Sequence, residues 1–333
     1  MLPSISIIIP TFNRPQKLTR AIRSCLQQST IPSEILVIDN GENHTTKEAF
    51  EQLLPEATST TLSYHKSEPF KIRKALSHGI NKAQGNWIIL LDDDDFLVED
   101  RIRNDIEILK TVDSEVSILL HDFLRVDYTH SQIWEHTMHH KRLDLYEALT
   151  FDNFPPAAAS TLRSSTLKSH HSYNLDGGNM DFDLFASLLP HGHLLKLAQI
   201  GYIMDDTRSK DRITTSPTQI IEMLALHRER FRQYRRLTTV TDVAIDTRID
   251  QQAAFFSGKY EGVQGLFGPH STLARQHLKE WTKGLISPLR ALCSRHFSIL
   301  MPEMRGSKSF SLNSYQNRSP RIHQYILQNK LEE

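Results

Sequence analysis

Leu90-Leu91-Asp92-Asp93-Asp94-Asp95 sets four consecutive carboxylates directly behind the apolar run Trp87-Ile88-Ile89-Leu90-Leu91. The run is short, continuous and rich in aliphatic and β-branched residues, as a buried strand requires. Four carboxylates where such a strand emerges repel one another and lose hydration. A divalent cation offsets both costs, and an oxygen-only ligand set suits Mg2+ or Mn2+. The plain alternative is a solvated acidic turn capping the next helix. The strand placement and the matching N-terminus favour a metal–diphosphate site.

Outward from this stretch, strand and helix alternate. Ile5–Ile9 reads as a strand stopped by Pro10, and Asn13-Arg14-Pro15 opens a helix with an apolar face of Leu18, Ala21, Ile22, Cys25 and Leu26. Glu34–Asp39 is the next strand, turned by Asn40-Gly41, and Thr61–His65 is a short third. A helix over about Ile72–Ala83 leads through Gly85-Asn86 into the strand that ends at the aspartates. A helix carrying Ile102, Ile106 and Leu109 follows, then a strand at Val116–Leu120. The alternation implies an α/β, mostly parallel sheet with helices on both faces. Ligands of such sheets bind at the carboxyl ends of the strands, which here carry Thr11, Asp39 and Asp92–Asp95.

In composition, 39% hydrophobic and 23% charged residues describe a globular chain, and its 333 residues suffice for one large domain with an appendage. Lys plus Arg equals Asp plus Glu at 39 each, so no global charge argues for nucleic acid. Two cysteines, Cys25 and Cys293, make no disulfide framework and suit a cytoplasmic compartment. Ile5–Ile9 is too short for a signal peptide, and no stretch reaches membrane-span length. The expected location is cytoplasmic, at most peripheral on the inner face of the membrane.

Taken together, Ser6–Pro15, Glu34–Gly41, Gly79–Ile88, Leu91–Asp95 and Met180–Leu184 resemble the inverting family-two glycosyltransferases of GT-A fold. The resemblance covers roughly residues 4–215. It implies a GT-A domain over 1–215, followed by a helical C-terminal extension over 216–333. It also implies a nucleotide-diphosphate-sugar donor, most often a UDP-sugar, lying over the strand ends against Pro10, Thr11, Asn13, Arg14, Asp39, Asp92 and Asp93. Asp39 matches the aspartate that accepts a nucleobase N–H, a role suited to an acceptor-only group. Asp92 and Asp94 match the outer positions of the D-x-D motif: Asp92 on the ribose side, Asp94 on the Mn2+ or Mg2+ that bridges the phosphates. Asp95 steadies the turn or a metal-bound water.

Departures from the family pattern are visible. Asn40 stands where a second aspartate is common, Leu76-Ser77 replaces an Arg-Asn pair, and Met180 replaces a glutamate. Arg73 and Lys74, one turn earlier, either contact the diphosphate or are solvated surface charges.

Inverting transfer needs a base for the acceptor hydroxyl and a Lewis acid for the departing diphosphate. Asp181 is the candidate base by motif position, with Asp183 as the alternative; the plain explanation is that both favour a helix N-terminus. Asp206–Arg212 resembles the family segment that closes over the donor, with Arg208 suited to phosphate and Asp211 where a histidine is frequent. The 17 histidines show no zinc spacing.

Beyond residue 215, Ser216-Pro217-Thr218-Gln219 reads as a helix start, and Gln251–Tyr260, His270–Gly284 and Pro288–Leu300 as further helices. Their apolar residues suit an internal core, a homodimer contact or a peripheral membrane patch. Arg305–Asn317 is Ser- and Asn-rich and is expected to be mobile before a final helix at Arg321–Lys330. The function expected is sugar transfer to a hydroxyl of a glycan or glycolipid, in bacterial surface polysaccharide synthesis. A sugar nucleotidyltransferase would carry a Gly-rich loop in place of Pro10–Arg14. A catalytically silent scaffold would have no physical need for four crowded aspartates.

Overall fold

A computed structural model describes residues 3–42, 44–69, 71–137, 142–143, 155–173, 180–207, 250, 275–277, 282 and 307–330. Its centre is β1 (Ile5–Thr11), whose seven residues are all buried. Such a strand must be covered on both faces, which explains its unbroken apolar reading. β2 (Glu34–Asp39) and β4 (Trp87–Leu90) flank it in parallel, and β3 (Thr61–Lys66) runs parallel outside β2. The register aligns Thr11, Asp39 and Lys66 in one row across the strand ends. Leu91 N–H donates to the Ile8 carbonyl at 2.9 Å, so the aspartate run leaves the sheet beside that row.

α1 (Pro15–Leu26), α2 (His44–Glu51) and α3 (Ile72–Lys82) connect these strands. α1 starts with Pro15 in its first turn and buries Leu18, Ala21, Ile22 and Cys25. Burial pushes the Cys25 thiol up to about 12, which makes it an inert core residue. Cys293 lies outside the described residues.

Beyond β4 the sheet becomes mixed. β5 (Phe96–Leu97) and α4 (Arg101–Leu109) follow the aspartates, then β6 (Val116–Asp127), β7 (Gln132–His136) and β8 (Arg142–Leu143). β9 (Ser160–Arg163) inserts antiparallel between β4 and β6. α5 (Ser164–His170) and α6 (Met180–Leu188) lead to the long β10 (His193–Asp205), parallel to β6 and antiparallel to β5. The expectation of parallel pairing thus holds for β3-β2-β1-β4 and gives way to mixed pairing on the other side.

Ser307–Ser311 forms β11, antiparallel to β7, and is followed by α7 (Leu312–Arg318) and α8 (Pro320–Gln328). A mobile tail at 305–317 is therefore not what the chain builds from residue 307 onward, since this segment joins the sheet. Leu312, Tyr315 and Ile326 are buried with Phe96, Leu124, Val126 and Ile133 in a second apolar cluster. Ser311 caps α7 through its side chain, accepting from Ser314 N–H at 3.1 Å. A Ser-rich stretch thus serves as edge strand and cap. The helices expected between 216 and 300 lie outside the described residues, apart from residues 250, 275–277 and 282.

A buried polar knot joins α4 to the sheet. Arg101 Nε meets Asp105 Oδ2 at 2.9 Å, His121 Nε2 lies 2.5 Å from Asp105 Oδ1, and Thr161 Oγ1 donates to Asp105 Oδ2 at 2.5 Å. Burial alone would raise Asp105, but the charges of Arg101 and His121 with these hydrogen bonds hold it well below the usual carboxylate range. Gly201 of β10 lies against this knot: a Cβ there would stand 2.7 Å from His121 Cγ and 2.8 Å from Arg101 Cδ. Gly201→Ala should therefore lower unfolding stability by about 1–3 kcal/mol in urea titration, the usual cost of overpacking. An unchanged midpoint would mean that the knot yields freely.

Candidate active site

The aspartate run is held from several sides, and each carboxylate is treated differently. Asp93 is 5% exposed; it accepts from Thr11 Oγ1 at 2.7 Å and from Arg14 Nη1 at 3.1 Å. Burial and then the charge of Asp94 lift it to about 6, against the pull of Arg14 and Thr11. Asp95, 3% exposed, accepts from the Tyr202 hydroxyl and from Asp205 N–H at 2.8 Å. Its own N–H closes a turn onto the Asp92 carbonyl at 3.2 Å. Asp94 is partly exposed and lies 3.2 Å from Arg14 Nη1 and 3.8 Å from Lys17 Nζ.

Asp92 is solvent-facing and makes no side-chain hydrogen bond to another described residue. Loss of hydration to surrounding protein atoms, then the charges of Asp94, Asp181 and Asp93, push it well above the usual carboxylate range. Asp92 and Asp94 are thus the two carboxylates of the run that retain solvent exposure, while Asp93 and Asp95 are buried in the turn. The position expected for Asp93 and Thr11 against the donor is instead a mutual contact beneath the surface. Pro10 is likewise buried within β1. Asn13 is exposed at φ 55°, a left-handed conformation that Asn tolerates, and its Oδ1 accepts from Glu42 N–H at 3.1 Å. The Asn13 turn packs so closely on Gly41 that a Cβ there would sit 2.4 Å from Asn13 Oδ1.

Asp181 and Asp183 separate cleanly. Asp183 is fully buried and pairs with Arg73 Nη2 at 3.0 Å, whereas Asp181 is half-buried and accepts from Ala157 N–H at 2.9 Å. Burial lifts Asp181 to about 6, opposed by Ala157 N–H and Arg73. Its charge is felt at Asp92, so the fold brings residues 89 positions apart within electrostatic range. Arg73 is consequently committed to Asp183 and to the Ser172 carbonyl at 3.4 Å, rather than presented to a diphosphate.

Asp39 is also placed differently from the reading of an open base acceptor. It is fully buried, with Oδ1 accepting from Gly41 N–H at 2.8 Å and Oδ2 from the Tyr64 hydroxyl and from Lys66 Nζ at 2.7 Å. Arg208 lies outside the described residues. Sequence reading missed Lys17, Tyr64, Lys66 and Tyr202. Lys17 was within reach of the helix period, three residues after Arg14; the others come from strands whose alignment only the register supplies.

Among the described residues, no three His, Cys, Asp or Glu side chains are grouped to hold a metal ion unaided. Mg2+-like ions need only one or two protein carboxylates and take their other ligands from water and phosphate. Asp92 and Asp94 fit that demand.

With this geometry in hand, comparison with known proteins is informative. Residues 6–166 match the profile of Glycosyl transferase family 2. A GalNAc(5)-diNAcBac-PP-undecaprenol beta-1,3-glucosyltransferase of Campylobacter jejuni is 31% identical over 99 residues, covering 29% of this chain and 31% of that one. The S. aureus TarS 1-349 structure in complex with UDP-GlcNAc superposes with a TM-score of 0.55 at 14% identity, covering 99% of this chain and 93% of that one. A Pyrobaculum calidifontis mannosyltransferase in complex with GDP-Man and Mn2+ also gives 0.55, at 13% identity over 88% and 84% of the two chains. The chain spans less than half the length of the curated relatives it matches. Residues 6–166 thus resemble the family-two glycosyltransferases, and the mixed, curled sheet shares the GT-A fold of these glycosyltransferase structures.

The raised Asp181 has a sign that can be checked. Its folded value of about 6 exceeds the ordinary 3.8, so the folded chain binds that proton more tightly, and the cost to folding builds as pH rises from 3.8 to about 6 and is fully present above it. Asp181→Asn should therefore raise the thermal midpoint at neutral pH, and the gain should shrink as pH falls from about 6 towards 3.8. A variant less stable at neutral pH would show that the ionised carboxylate is favourably held.

Proposed function

We propose that this chain is a metal-dependent, inverting glycosyltransferase that moves a sugar from a nucleotide-diphosphate-sugar to a hydroxyl of a glycan or glycolipid. The observation that carries this reading is the placement of Asp92 at the strand ends, beside the turn that holds Asp94 and within range of the charge of Asp181. Asp94, with Asp92, would hold Mn2+ or Mg2+, whose chemistry when bound is charge neutralisation of the diphosphate. Asp181 takes the acceptor proton. Its value near 6 leaves it ionised at neutral pH and still basic enough to accept a proton, close to the optimum for a general base. Asp183, neutralised by Arg73, orients α6 and takes no proton.

A UDP-sugar donor is supported by the TarS complex and a lipid-linked glycan acceptor by the name of the Campylobacter relative; both carry over as proposals. No described helix is long and apolar enough to cross a membrane. A role in bacterial surface polysaccharide synthesis, with peripheral membrane contact, is part of the same proposal. Against a silent scaffold stands the crowding of four carboxylates in one turn, which an inactive chain has no physical need to keep.

Radiolabelled sugar transfer tests the reading. Chelation should abolish transfer and Mn2+ or Mg2+ restore it, and Asp94→Asn should be inactive but folded. Asp181→Asn should lose about 10²–10⁴ in rate while UDP affinity by calorimetry stays near wild type. Wild-type rate should fall as pH drops through about 6. Transfer undiminished in excess chelator would remove the metal from the proposal, and an active Asp181→Asn would remove the base.

A further inference from the structure

Arg20 interrupts the apolar face of α1 between Leu18 and Ala21, and it is only 5% exposed. Its guanidinium draws together three parts of the chain that are remote in sequence. Nη2 donates to the main-chain carbonyl of Asp94. Nη1 meets Asp205 Oδ2 at 2.7 Å and the Asn329 carbonyl at 3.2 Å, and the group stands 5.0 Å from the centroid of Phe96. Asp205 in turn donates its N–H to Asp95. Asn329 ends α8, and α8 is fastened at several points: Tyr325 hydroxyl to the Leu97 carbonyl at 2.9 Å, Tyr128 hydroxyl to the Ile326 carbonyl at 3.0 Å, and Arg321 to Asp100 at 2.9 Å.

We propose that Arg20 is a positioning residue that couples the seating of α8 to the placement of Asp94, which makes the segment 307–330 a component of the donor site. The proposal rests on the reading of Asp94 as the metal-side carboxylate. A main-chain carbonyl held from behind fixes the direction in which its own side chain leaves the turn. A buried guanidinium keeps that hold only while its other acceptors stay in place, because a lost partner leaves a charge without compensation. Asn329 is one such acceptor, so loosening α8 should be felt at Asp94. A purely architectural ion pair would predict something else: general loss of stability without a local effect at the aspartates.

The test uses the full-length chain as Arg20→Gln, Arg20→Lys and the double variant Tyr325→Phe/Arg321→Ala, whose changed side chains lie in α8. Amide hydrogen exchange of the unliganded proteins should accelerate at residues 92–97 and 205–207 in Arg20→Gln and in the α8 variant, with β1 and β2 unchanged. Calorimetry with UDP and Mn2+ should show binding about tenfold weaker for Arg20→Gln, about 1.4 kcal/mol. Arg20→Lys should fall between, since an ammonium keeps the charge but not the fork. Wild-type exchange at 92–97 in the α8 variant, or uniform acceleration across the sheet, overturns the coupling. If Arg20→Gln fails to fold, the α8 variant decides by the same two readouts. Absence of UDP–Mn2+ binding by the wild type would refute the functional reading instead, while exchange at 92–97 would still decide the coupling.

Discussion

The repulsion among Asp92, Asp93, Asp94 and Asp95 is the constraint around which this half of the molecule is arranged. At contact distances two like charges cost about 1 kcal/mol in water and several times more where solvent is partly excluded. The fold answers with donors from separate elements: Thr11 and Arg14 for Asp93, Tyr202 and Asp205 N–H for Asp95, Arg14 and Lys17 for Asp94. Asp92 is left without such a donor among the described residues, and it is also the carboxylate nearest in influence to Asp181. The carboxylate whose ionisation is most opposed and the proposed base therefore lie within electrostatic range of each other.

The same donors explain why the sheet must be mixed. Tyr202 and Asp205 belong to β10, which reaches the aspartates only because it pairs with β5 and runs alongside β6. Arg101 stabilises that approach from beneath, through contacts of 3.4 Å to the carbonyls of Gly201 and Ala158. Ala157, in the same short turn as Ala158, donates to Asp181. One buried arginine thus braces the strand that steadies Asp95 and the turn that steadies Asp181. Such buried pairs add little net stability over an apolar core, but removing one partner is costly, so their effect is to fix geometry.

Much of this was legible in the residues and some was not, for identifiable reasons. β1, β2 and β4 read directly because both of their faces are buried and their sequences are continuous apolar runs. β9, β10 and β11 are short, or alternate in exposure, or are rich in serine, so periodicity does not mark them. Asp92, Asp94 and Asp181 stand out in the sequence because carboxylates crowded behind an apolar strand, or opening an apolar helix, are conspicuous. Arg73 and Asp39 looked equally like ligand contacts. Their partners are fixed by packing, Asp183 lying 110 residues away and Lys66 on the neighbouring strand, and no local pattern carries that information.

The closed state of Asp39 still leaves room for recognition of a base, and magnitudes indicate how. Gly41 N–H and the Tyr64 hydroxyl belong to the turn and the sheet and move only with them. Lys66 is different: its side chain is 52% exposed and also holds the Gly41 carbonyl at 2.7 Å. A half-exposed ion pair of this kind contributes about 0–1 kcal/mol, because solvent screens it and a long side chain must be kept in place. A ring N–H donated to a desolvated carboxylate is worth roughly 1.5–3 kcal/mol. Exchanging Lys66 for a base N–H is therefore favourable on these figures, and the displaced ammonium stays within reach of the Gly41 carbonyl. On this argument Lys66 is the partner of Asp39 whose replacement costs least, as the proposed recognition of a base would require.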